Sequence, residues 1–248
     1  MFTLIKFVMG AMAVAFLLAP ALRSARQEER RTIDDNPSPL PPTQWNVQPQ
    51  SGGQWSEKGE VNGWTPNTHK DRGIERVERV VDPNDPSNHA LKVFCNLAPN
   101  REEKGEALCH LRPEGGQRIP LTANFQGSTI RYRAFVAAGG LGSRDAPNGF
   151  QLILKSRPGT KNYYSPWVEI PEEQRWFWVS ATPPAGNWID SEFDVTRVFS
   201  VGAKFGLSGD AVSGFRGEIL IDDFEVLGPD GKVIAKWDFE PWKCHEQP

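Results

Sequence analysis

The sequence is poor in the residues on which most recognisable chemistry is built. Among 248 residues it has three cysteines, four histidines, three tyrosines and three methionines. The histidines, His69, His89, His110 and His245, are scattered without zinc-ligand spacing. No Gly-x-Ser-x-Gly elbow and no glycine loop of the phosphate-binding kind occurs. Basic residues are not in excess: the formal charge is −3, which gives no electrostatic footprint for nucleic acid and no polybasic patch for a membrane surface. A convincing 3.6-residue apolar stripe is missing, as is any repeat at solenoid or propeller periods. After residue 18 there is no second long apolar run.

Three segments follow from composition. Residues 1–21 carry one charge by Lys6, an apolar run from Phe7 to Leu18 and small residues at Ala19 and Ala21, the layout of a cleaved secretory signal. The run is shorter than the roughly 20 residues of a spanning helix, so secretion or a periplasmic location is expected rather than an uncleaved anchor. Residues 22–50 hold the proline cluster Asn36–Pro42, which reads as an extended linker. Residues 51–248 are the length of one β-sandwich domain.

Within that domain, period-two alternation bounded by Gly, Pro, Asn and Asp recurs. Ile130, Tyr132, Ala134 and Val136 alternate with Arg131, Arg133 and Phe135; Phe150, Leu152 and Leu154 alternate with Gln151, Ile153 and Lys155. Further strands are expected at Ile74–Val81, Tyr163–Ile170, Trp176–Ala181, Val201–Leu207, Gly217–Val226 and, after the Gly228–Gly231 turn, Lys232–Phe239. The fold class is therefore all-β, an antiparallel β-sandwich. Cys95 and Cys109 fall in strands joined by a polar turn; if these form a hairpin, a disulfide between them is reasonable and Cys244 is left over.

The run Trp176–Ser180, the segment Val201–Leu207 and the closing Ile219-Leu220-Ile221-Asp222-Asp223-Phe224 resemble carbohydrate-binding modules with a galactose-binding-like jelly roll. That resemblance implies non-catalytic binding of a polysaccharide by a monomer, and a structural Ca²⁺ held by Asp222 and Asp223 with Glu60 or Glu240 as partner. Nine tryptophans suit it, because indole faces stack on sugar rings. Candidate ligand-binding residues are Arg131, Arg133, Gln151 and Lys155, on strands that are possible neighbours, with Tyr163, Tyr164, Trp167, Trp176, Trp178 and Trp188.

Two enzymatic alternatives use the same fold. A glycosidase would pair Asp223 with Glu225, although the order Glu218…Asp222-Asp223…Glu225 breaks strict alternation. A polysaccharide lyase would assemble Tyr132 or His110 with Arg131, Arg133 and Gln151. A third reading is an envelope protein using the sandwich for protein contacts, marked by an exposed apolar patch.

Overall fold

The computed structural model describes residues 59–67, 73–99, 104–110, 122–208 and 213–241. The expected signal segment and linker lie outside these residues. All the described ones belong to one compact unit, Pro39–Pro248. Among them no helix is long and apolar enough to cross a membrane.

Among the described residues thirteen strands form two antiparallel sheets. The first sheet runs in the order β1 (Trp64–Pro66), β4 (Lys104–His110), β11 (Val198–Gly206), β6 (Gly149–Ser156), β7 (Lys161–Tyr164) and β10 (Trp188–Ile189), with β8 (Val168–Glu169) also on β6. The second runs β2 (Ile74–Asp82), β3 (Asp85–Leu97), β12 (Phe215–Leu227), β5 (Thr129–Val136) and β9 (Phe177–Ala181), with β13 (Val233–Trp237) also on β12. The fold is an antiparallel β-sandwich, as the alternation implies.

Alternation also decides which side chains meet between the sheets. Ile130, Tyr132, Ala134 and Val136 of β5 face Phe150, Leu152 and Leu154 of β6 across one core. An aromatic cluster fills it. Tyr132 stacks on Phe224 at 5.6 Å between centroids with rings 2° from parallel, and Trp64 tilts against Phe224 at 5.1 Å. The Tyr132 hydroxyl, pushed well above its usual titration range by burial, crosses to the other sheet and donates to the Gln151 carbonyl at 3.0 Å. Phe239, fully buried, closes one end of the core against Trp64.

The cysteine hairpin is not formed. β3 lies in the second sheet between β2 and β12, whereas β4 lies in the first between β1 and β11. Their connection passes from one sheet to the other because each strand finds longer partners elsewhere: β3 pairs with β12 from Leu97 to Leu91, and β4 with β11 from Lys104 to His110. Cys95 is a free, buried thiol, so the Cys95–Cys109 bridge is corrected to an unbridged Cys95. Burial holds that thiol far above its ordinary range, and its Sγ fills the space over Gly105, where a Cβ would stand 2.7 Å away.

Candidate functional site

The strands expected to be neighbours are not. β5 and β6 belong to different sheets, so Arg131 and Arg133 point away from the sandwich on one side, and Gln151 and Lys155 on the other. The residues read as one face are divided between two.

The outer face of the first sheet is built by strict alternation in β11. Val201, Ala203 and Phe205 enter the core, which turns Gly202, Lys204 and Gly206 outward. Lys204 stands in register with Glu106 of β4 on one side and Gln151 of β6 on the other. Burying charge at a sheet surface is costly unless each group is hydrogen-bonded, and here each is. Lys204 Nζ donates to Gln151 Oε1 at 2.5 Å, and Gln151 Nε2 donates to the Ser165 carbonyl at 2.6 Å. Glu106 is fully buried; it accepts from Asn67 Nδ2 at 2.7 Å and from the Tyr164 hydroxyl at 3.3 Å.

Aromatic rings border this polar row. A methyl group at Gly149 would come within 2.6 Å of Trp167 Nε1, and one at Gly206 within 3.1 Å of its Cη2. The Trp167 indole thus lies across two adjacent glycines of β6 and β11, on bare backbone. Lys204 Nζ is 5.6 Å from the Trp167 ring and 5.1 Å from that of Tyr164. In the next row along the sheet Tyr164 is opposite Trp188, whose indole is 63% exposed and is oriented by a 2.9 Å bond to Asp190. Asp190 is held ionised below the usual carboxylate range by the Asn162 main-chain N–H, with the Trp188 N–H contributing.

Of the residues singled out in the sequence, Gln151, Lys155, Tyr164, Trp167 and Trp188 belong to this sheet's outer face or its edge. Tyr163 does not: it is fully buried, its hydroxyl donates to the Ala185 carbonyl, and burial moves it up to about 12. Glu106, Lys204 and Asn67 were missed. The signal for Lys204 was present in Gly202-Ala-Lys204-Phe-Gly206, where glycines flank an outward lysine and leave room above it.

The outer face of the second sheet carries ion pairs. Arg131 donates through Nε and Nη2 to Glu225 at 2.9 and 2.7 Å, and its guanidinium lies 4.3 Å from the Trp178 ring centroid. Arg133 donates to Asp222 Oδ2 at 2.6 Å, approaches Asp223 Oδ2 at 2.7 Å, and lies 4.8 Å from the Trp176 ring. Trp176 and Trp178 do share a face, yet Trp176 is spent on structure: its N–H donates to Asp82, and its ring packs on Phe135.

Three carboxylates of β12 reach this outer face because a bulge between Asp222 and Glu225 adds a residue, with Asp223 at φ +45°. Ca²⁺ takes six to eight oxygens, and most of the carboxylate oxygens here are engaged by neighbouring donors. Asp222 Oδ2 is taken by Arg133 and Asn88, Asp223 by Arg133 and Lys236, and Glu240 by His89. The buried Asp222 Oδ1 meets no hydrogen-bond partner among the described residues. Among the described residues no group of three or more such side chains could hold a metal.

The enzymatic constellations are not assembled either. Lys236 Nζ stands 2.7 Å from Asp223 and 3.8 Å from Glu225, in the space an acid–base pair keeps open for substrate. Tyr132 is in the core, Arg131 and Arg133 are on the sheet opposite Gln151, and the His110 side chain lies outside the described ones.

No protein-family model matches the chain, and no curated protein matches it. Solved structures are similar in fold. A carbohydrate-binding module of Caldicellulosiruptor saccharolyticus, in complex with mannohexaose, is 15% identical over 68% of this chain and 92% of its own, with a TM-score of 0.46. A xylan-binding domain from Paenibacillus barcinonensis is 14% identical over 72% and 90%, with a TM-score of 0.41. A family 11 module from Clostridium thermocellum, in complex with a β-1,3-1,4-linked tetrasaccharide, is 13% identical over 68% and 91%, with a TM-score of 0.38. These three solved structures are carbohydrate-binding modules, and the likeness is one of fold.

Proposed function

We propose that this protein binds a neutral polysaccharide, without cleaving it, on the outer face of its first sheet. The observation that carries the reading is Trp167 laid across Gly149 and Gly206 beside the buried row Glu106–Lys204–Gln151. An indole held on bare backbone offers its free side to the C–H face of a pyranose, and the fixed polar row beside it suits hydroxyls. Glu106 and Lys204 carry opposite charges in register, so the row favours neither a uronate nor an amino sugar. Trp188 extends the platform toward the sheet edge. The signal-like composition of residues 1–21 supports a site of action outside the cytoplasm.

Affinity electrophoresis of the full chain tests the reading, in gels cast with glucomannan, xylan, mixed-linkage β-glucan and polygalacturonate. The same mixtures are assayed for reducing ends and for new double bonds. Retardation by a neutral polymer without product is expected. Trp167→Ala should weaken that binding about tenfold, which is about 1.4 kcal/mol. Retardation only by polygalacturonate, product formation, or an unaffected Trp167→Ala variant would each overturn it.

A further inference from the structure

Trp178 is on the opposite side of the sandwich, on the outer face of β9, an edge strand of the second sheet. It is 44% exposed, which is unusual for an indole that is also fixed in place. The fixing is specific. Arg131 covers one side of the ring at 4.3 Å, and Arg131 is itself clamped by two bonds to the carboxylate of Glu225, a side chain only 10% exposed. Cation–π contact and ion pair together hold the ring without hiding it.

Trp176, on the same face, shows what a structural indole looks like here, with its N–H bonded to Asp82 and its ring against Phe135 and Arg133. Trp178 shares the arginine but not the rest: among the described residues its N–H meets no partner, and no other ring packs on it. Beside it on this face, a row of small hydroxyls continues along β5 and β9. Ser180 is opposite Arg131 and exposed, and Thr129 bonds Thr182 through their Oγ1 atoms at 2.8 Å. The charges at the platform cancel, since Arg131 is matched by Glu225.

We propose that Trp178, with Arg131 and the Ser180–Thr182 hydroxyls, is a second saccharide platform for a neutral glycan chain. It takes its ligand class from the function proposed above but stands on different residues. Two sheets pack about 10 Å apart, with the outer side chains beyond them, so the two platforms face away from each other. One molecule then joins two polysaccharide chains, and its hold on a polymer network exceeds that of either site.

The test uses the full chain in gels containing glucomannan, xylan or mixed-linkage β-glucan, with light scattering of the same mixtures in solution. The variants are Trp178→Ala, the double variant Trp167→Ala/Trp188→Ala, and the triple variant. The expected result is that the double variant keeps a weaker retardation, which the triple variant loses. Wild type should raise the scattering of the polymer, while Trp178→Ala binds but leaves scattering at the level of polymer alone. A double variant that migrates like the triple one, with Trp178→Ala retarded like wild type, would overturn the second platform and leave the first intact. If Trp178→Ala alone abolishes retardation and the double variant does not, the first platform fails and the second stands. A wild-type chain unretarded in every gel overturns both. Melting curves of all variants separate lost binding from lost folding, and Trp178, exposed and outside the core, can be removed without opening it.

Discussion

Gly149 and Gly206 matter for what rests on them. The nearest atoms to a methyl at Gly206 are those of Trp167 at 3.1–3.3 Å and the end of the Lys204 side chain, so Gly206→Ala lifts the indole by a few tenths of an ångström. Gly149→Ala meets both Trp167 and the Val168 carbonyl at 2.6 Å and must move backbone. Gly206→Ala is therefore expected to weaken glycan binding while melting within a few degrees of wild type, and Gly149→Ala to lower the melting temperature as well. Calorimetry beside affinity electrophoresis reads both. Asp222 gives a prediction of another kind. Burial raises its carboxyl above the ordinary aspartate value, against the pull of Asn88 and Arg133. The folded chain then holds that proton more tightly than the unfolded one, so the carboxyl stabilises most in acid and loses that contribution as pH rises through its folded value. Asp222→Asn removes this slope and should gain on wild type between acid and neutral pH in urea titrations. A variant that loses ground over that interval would show the Arg133 pair outweighing burial. At this scale the sequence was partly legible. Gln151, Trp167 and Trp188 could be picked out by type and alternation, but nothing in one strand says which lysine or glutamate a distant strand brings opposite it, and Glu106 and Lys204 escaped for that reason.

Strands were more legible than their partners. The alternation of β5 and β6 gave the correct inward residues for each, because the side-chain period is two whatever the strand pairs with. Pairing depends on the whole topology, and there β5 and β6 parted. β12 shows why its order, Ile-Asp-Asp-Phe, was hard to read as chemistry. Its bulge turns Asp222, Asp223 and Glu225 to one side, and also keeps Phe224 pointing inward between Trp64, Tyr132 and Trp237. The carboxylates look like a metal or acid–base set in sequence, yet the arginines that neutralise them come from β5. Phe224→Ala should cost about 3–5 kcal/mol, the range for emptying a large aromatic site in a core, in equilibrium urea unfolding. β1 and β10, of three and two residues, were beyond reach of any periodicity.

For the whole molecule the feature that unites the sheets is Tyr132. Its hydroxyl bond to Gln151 is made through the core, directly behind the candidate site. Tyr132→Phe should lose about 1 kcal/mol, the usual net worth of such a bond, with glycan binding nearly unchanged; a binding loss larger than the stability loss would show that the bond also sets the position of Gln151. The sandwich itself was legible from turn spacing and alternation, while the division of strands between its layers was not. That division has a consequence in time. β12 is the middle strand of the second sheet, joining β2–β3 to β5–β9, and it begins only at Phe215. During synthesis, therefore, the two halves of that sheet emerge with open edges and nothing between them, and such edges invite pairing with other chains. A nascent chain stopped before Phe215 has the strands of the first sheet but cannot close the second over them, so the core waits for the closing strands.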